Sequence, residues 1–120
     1  GRIGAVWVAK RADGAILLER RPDRGLLGGM LGFPGTDWDA RGGQPSGKPP
    51  LAANWRQALG NLRHTFTHFH LQLTVFVALA PMDALPERGH FLPQDSFAPT
   101  DLPTLMRKAH DLGVSALLSD

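Results

Sequence analysis

The chain has 120 residues, 42% of them hydrophobic and 20% charged, with a formal net charge of +2 and no cysteine. That length holds one hydrophobic core and not two. The missing cysteine excludes disulfides, thiolate-held iron–sulfur clusters and thiol nucleophiles within these residues. The largely apolar run Leu73 to Ala80 is far too short to cross a bilayer, and the N-terminus lacks the basic-then-apolar layout of a signal peptide. Neither a membrane partner nor a targeting segment is expected.

Taken in order, Ile3 to Ala9 is apolar on both alternating sets, as in a strand covered on both faces. Ala12-Asp13-Gly14 supplies turn chemistry, and Ala15 to Glu19 reads as a second strand, so the chain opens with a hairpin. Arg20 to Arg24, with Pro22 inside it, leaves the sheet as a charged loop. In Gly25 to Gly35 five glycines interleave with large apolar residues, which calls for an irregular backbone pinned by buried anchors. Asp39 to Pro50 is polar and rich in Gly and Pro, as a flexible connector is. Leu51, Trp55, Ala58 and Leu59 follow helical spacing and predict a short amphipathic helix ending near Gly60. A long strand region spans Leu62 to Ala80 and is closed by Pro81. A loosely ordered stretch runs to Pro99, with a short strand at Phe91-Leu92. Leu102, Leu105, Met106, Ala109 and Leu112 then form the apolar stripe of a terminal helix, with Pro103 in its first turn and Gly113 as its C-cap. No repeat or internal boundary is visible. Strands mixed with a central and a terminal helix predict a layered α+β domain, a mixed sheet packed between helices.

The densest stretch is Leu62 to Leu71, which gathers three histidines, two threonines, two phenylalanines and an arginine without one acid. From Phe69 on, odd positions are apolar and His70, Gln72 and Thr74 are polar, a period of two. Before that the parity is reversed, with Leu62 and Phe66 even. One face collects both apolar sets only if the backbone slips by a residue between Phe66 and Phe69, which sets Phe66, Thr67 and His68 on a loop between two strands. The surroundings are basic. No Asp or Glu occurs between Ala40 and Met82, where Arg41, Lys48, Arg56 and Arg63 lie with His64, His68 and His70. Such a patch suits a polyanion such as nucleic acid, or is a solvated basic surface.

Several chemistries were weighed. His64, His68 and His70 contain a His-x-His strand pair with a third imidazole, a workable zinc arrangement, but no acidic partner stands near to orient them, and no metal site is expected. The order hairpin, loop, Gly-Phe-Pro-Gly, helix, strand resembles that of Nudix hydrolases, which need glutamates on the central helix to hold Mg²⁺ against a diphosphate. The segment Leu51 to Leu59 has none, so an active Nudix-type nucleoside diphosphate hydrolase is the alternative and not the favoured reading. None of Ser46, Ser96 and Ser115 lies in a nucleophile-elbow context. Asp37 and Asp39, flanking Trp38, read as solvated turn residues. No catalytic residue is expected. The loop itself suits binding: Phe66 could stack on a base, Thr67 and nearby amides could read base edges, and His68 with Arg63 could hold phosphates. On the residues alone, Phe66 as core and Thr67 as a simple turn residue remains open, as does a protein-interaction module.

Leu62 to Leu71, preceded by Gly25-Leu26-Leu27-Gly28-Gly29-Met30-Leu31-Gly32-Phe33-Pro34 and followed by Leu102 to Lys108, closely resembles the C-terminal domain of adenine DNA glycosylases of the MutY family. The likeness runs from Val6-Trp7 and Glu19-Arg20-Arg21-Pro22 to the last helix. It implies a Nudix-like fold without hydrolase activity, joined in the whole protein to an N-terminal helical catalytic domain. That absent domain would carry the glycosylase chemistry and a [4Fe-4S] cluster, leaving this chain a fragment without cofactor or activity of its own. The implied partners are double-stranded DNA holding adenine opposite 8-oxoguanine and the parent's N-terminal domain. The implied location is the cytoplasm, at the nucleoid in a bacterium. The family's Phe-Ser-His loop matches Phe66-Thr67-His68, which implies intercalation near the lesion by Phe66, lesion recognition by Thr67 and supporting contacts by His68; Arg63 and His64, beside the loop in the basic stretch, complete the expected DNA-binding set. Thr67 departs from the usual Ser; it keeps the hydroxyl and adds a methyl.

Overall fold

A computed structural model of the chain describes residues 1–38 and 47–119. The part of the expected connector at positions 39–46, with Arg41 and Ser46, lies outside the described residues. Seven strands run in the order β1 (Arg2–Arg11), β2 (Ile16–Arg20), β3 (Leu31–Gly32), β4 (Arg56–Gln57), β5 (Leu62–Thr65), β6 (His70–Ala80) and β7 (His90–Leu92), followed by helix α1 (Thr104–Leu118). Single 3₁₀ turns at Gln94–Ser96 and Pro99–Asp101 occupy the loosely ordered stretch.

The spine is a parallel pair. β1 lies beside β6 in unbroken register from Arg2↔Leu71 to Arg11↔Ala80. On the far edge of β6, β5 pairs with its first residues and β4 with Phe76 and Val77, both antiparallel. On the other side β2 meets β1 at Lys10↔Ile16 and carries β3 and β7. Where β2 has diverged, residues 34–36 close against β1: Trp7 N–H donates to Pro34 O and Thr36 N–H to Ala5 O, each at 2.9 Å. The sheet is mixed, as expected, and the opening hairpin falls where Ala12-Asp13-Gly14 placed it.

Alternation along β1 and β6 sorts the core. Val6 and Val8 share a face with Leu71, Leu73, Val75 and Val77 because residues paired across strands point the same way. α1 lays Leu105, Met106, Ala109 and Leu117 on that face, forming the larger buried cluster. The opposite face buries Ala9, Leu17, Leu51 and Ala80, with Trp55, Ala84 and Phe91 packed against them.

Two sequence expectations fail. The segment Leu51 to Leu59 is not a helix. It bends and then forms the short strand β4, Ala58 N–H donates to Val75 O at 2.8 Å, Arg56 pairs with Val77, and Leu59 is 90% exposed. A helix of about two turns is marginal in water, whereas β6 offers unpaired backbone groups past the end of β5, and that open edge wins. Among the described residues α1 is therefore the one α-helix, and the sheet has a helix on one face only. The second failure is Gly113, which lies inside α1 and not at its end. A Cβ there would meet Cβ, Cγ1 and Cγ2 of the fully buried Val8 at 3.0 Å, so Gly113 is a point of close approach between helix and sheet.

An exposed helical glycine replaced by a better helix former gains about 1 kcal/mol. At Gly113 the sign reverses: Gly113→Leu should lower the unfolding free energy by about 1–3 kcal/mol through overpacking, measured by urea denaturation, and an unchanged or raised midpoint would contradict the packing.

Candidate nucleic-acid interface

β5 and β6 make the hairpin that the parity reversal called for, paired Leu62↔Leu73, Arg63↔Gln72, His64↔Leu71 and Thr65↔His70. Phe66 N–H donates to Phe69 O at 2.8 Å, so the ladder continues to the two phenylalanines and the turn proper is Thr67-His68. Among the described residues Leu27 is the one non-glycine with positive φ. A two-residue turn without positive φ is not the I′ or II′ form usual in hairpins, which is why no Asn-Gly or Asp-Gly marks it in the sequence.

The pairing divides the side chains between two faces. Leu62, His64 and Phe66 lie with Leu73, Leu71 and Phe69 toward α1; Arg63 and Thr65 lie with Gln72 and His70 on the other side. On the α1 side an aromatic row runs inward from the tip. The His64 ring meets Phe66 edge-on with centroids 4.9 Å apart, Phe66 stacks on Phe69 at 5.0 Å, and the Arg2 guanidinium sits 4.1 Å from the Phe69 centroid. Phe66 and Phe69 are half-buried and rest on the main core, while Thr67 and His68 are exposed at the tip. Phe66 thus packs on the core, as one of the two expectations has it, and precedes the displayed turn.

On the other side Thr65 Oγ1 and His70 Nδ1 are 2.9 Å apart. A groove of about 450 Å³ runs past Gly1, Arg2, Arg63, His64, Thr65 and His70, with no acid on its walls. The three histidines do not converge, since His64 and His70 occupy opposite faces and His68 the turn. Among the described residues no group of three or more His, Cys, Asp or Glu is placed to hold a metal ion. Nor is any described helix long and apolar enough to cross a membrane.

His64 is held from α1. Lys108 Nζ stands 3.3 Å from His64 Nδ1; an ammonium can only donate, so Nδ1 accepts and the ring proton belongs on Nε2. Burial first, and the Lys108 charge second, push the imidazole below its ordinary value of 6.5. Nothing local in the sequence marks Arg2 or Lys108 as part of this site. Arg2 is brought to Phe69 by the parallel β1–β6 pairing, which no local pattern announces. Lys108 ends the segment Leu102 to Lys108, but its partner His64 is 44 positions away.

A family model described as NUDIX domain matches residues 5–112. The chain belongs to the Nudix domain family. Human adenine DNA glycosylase is 33% identical to this Nudix domain over 111 residues, covering 78% of the chain and 19% of that protein, so the chain spans about a fifth of the relative's length. Among solved structures, the C-terminal domain of mouse MUTYH, crystallised in complex with human PCNA, superposes with a TM-score of 0.65 at 23% identity, over 93% of this chain and 86% of that one. A MutT Nudix hydrolase from Burkholderia pseudomallei gives 0.63 at 20% identity, over 92% and 96%. Identities this low speak for the fold alone. With the sequence match, they make this Nudix domain similar to the C-terminal domain of adenine DNA glycosylases.

A histidine with a depressed folded value binds fewer protons folded than unfolded just below pH 6.5, so the His64 contribution to stability declines as pH falls through that window. In an NMR titration of the chain His64 should titrate below the ordinary range. Lys108→Met should move it upward but not fully back, because burial is the larger cause. No movement would mean that Lys108 does not act on His64.

Proposed function

We propose that this domain is the lesion-recognising DNA-binding part of an A/G-specific adenine DNA glycosylase, engaging 8-oxoguanine opposite adenine while a separate N-terminal domain of the same protein excises the adenine. The observation that carries the reading is the hairpin tip. Thr67 and His68 are exposed on a two-residue turn, Phe66 precedes them stacked on Phe69, and cations stand along the hairpin below: Arg2 against Phe69, Lys108 beside His64, and Arg63 on the groove whose walls carry no acid. Likeness to human adenine DNA glycosylase supports it.

In this role the Thr67 hydroxyl, both donor and acceptor, accepts from N7–H of the oxidised guanine, where plain guanine presents an acceptor. His68 and Arg63 position the backbone, and Phe66 wedges beside the lesion. Phe66 would exchange a ring pair worth about 0.5–1.5 kcal/mol for a base stack worth about 1–3 kcal/mol, so leaving the row is affordable on contact.

The test is made in the full-length glycosylase carrying this domain. Phe66→Ala and Thr67→Ala should each erode the preference for 8-oxoguanine:adenine over guanine:adenine duplexes, Thr67→Ala by about 0.5–1.5 kcal/mol for one lost hydrogen bond, while Thr67→Ser retains it. Adenine excision from a saturated complex should persist. Full discrimination in both alanine variants would refute the assignment. The Nudix fold itself favours a second reading, nucleoside diphosphate hydrolysis, opposed by the absence of clustered carboxylates among the described residues. Mg²⁺-dependent turnover of a nucleoside diphosphate panel by the purified chain would establish it.

A further inference from the structure

Arg2 belongs to two clefts. It lines the groove beside the hairpin tip and also a second cleft of about 450 Å³ on the far side of β1. The second cleft holds Arg21, Arg24 and Arg88 with Arg2, against the two acids Glu19 and Asp37. Glu19 is committed: both its carboxylate oxygens accept from the Arg88 guanidinium, which also donates to Gly35 O at 3.0 Å. Among the described residues, three guanidinium groups then face one carboxylate.

Their poses differ usefully. Arg21 is half-buried, its guanidinium 3.9 Å from the Trp38 ring centroid and its Nε donating to Leu26 O at 3.0 Å. That leaves a planar cation fixed in place with its terminal amino groups uncommitted, the arrangement that binds a phosphate at little entropic cost. Arg24 is exposed on the Gly-rich loop and has no partner among the described residues. Arg2 spans the gap, stacked on Phe69. From Arg63 through Arg2 to Arg21 and Arg24, guanidinium groups thus succeed one another across two adjoining clefts.

Resting on the DNA-binding reading above, we infer that the second cleft is a phosphate-binding site for the DNA backbone leading away from the lesion, contacted by Arg21 and Arg24 and joined to the hairpin groove by Arg2. A row of separate cations suits successive phosphodiesters better than the clustered charge of one nucleotide. The site is sequence-blind, so it adds affinity to every duplex alike and leaves the choice of lesion to the tip.

The experiment compares the full-length protein with its Arg24→Gln and Lys10→Gln variants, binding 8-oxoguanine:adenine and guanine:adenine duplexes across a salt series. Arg24 is exposed, so its loss should not disturb folding. Arg24→Gln should weaken both duplexes equally, about fivefold near 0.15 M salt, and lower the slope of log K against log salt by about one. Lys10→Gln, remote from both clefts, should leave the slope unchanged. An unaltered slope in Arg24→Gln overturns the proposal. So does displacement of duplex by a nucleoside diphosphate from the wild type but not from Arg24→Gln, which would give the cleft to free nucleotides. The two readings fail separately. If Phe66→Ala loses lesion preference while Arg24→Gln keeps its slope, the cleft assignment falls and lesion recognition stands. If the wild type binds both duplexes equally yet Arg24→Gln loses slope, lesion recognition falls and the phosphate site stands. Absence of duplex binding by the wild type sinks both.

Discussion

The long parallel pairing of β1 with β6 is the constraint on which everything else rests. A parallel pair must be buried on both faces, and here α1 covers one and the segment around Leu51 and Phe91 the other. The register Arg2↔Leu71 sets the first residues of the chain beside the start of β6. The β5–β6 turn projects from that same end. Arg2 can therefore cap the aromatic row beneath the tip although Phe69 is far away in sequence. A slip of one residue would flip Val6 and Val8 out of the core and carry Arg2 to the opposite face.

From that frame follows the character of the tip. Its residues are not a free loop but the end of a ladder, steadied by ring contacts on one side, by the Thr65–His70 contact on the other, and by Lys108 from α1. Only Thr67 and His68 escape the packing. In the proposed role, a tip built this way keeps its shape before contact and loses little entropy on it. Burial and the Lys108 charge disfavour a protonated His64 within the row.

Much of this was legible in the sequence because period and parity are local. The opening hairpin, the slip between Phe66 and Phe69, the stripe from Leu102 to Leu112 and the Nudix-like layout can all be read from neighbouring residues. What was misread depended on distant partners. Helical spacing in Leu51 to Leu59 was real, but the open edge of β6 claimed its backbone. Gly113 looked like a terminator because nothing in the helix says that Val8 lies against it. Arg2 and Lys108 were invisible for the same reason. The proposed partner, damaged DNA, rests on resemblance and not on spacing; composition alone reaches only as far as a basic surface.

The central claim is that the Thr67-His68 turn reads the oxidised base. The most direct measurement is amide chemical-shift mapping of the isotopically labelled chain titrated with two duplexes identical but for 8-oxoguanine or guanine opposite adenine. The account predicts shifts at residues 66–69 that differ between the duplexes, with β7 and the following 3₁₀ turns unmoved in both. Identical shifts at the tip for the two duplexes, or changes confined to other surfaces, would contradict it.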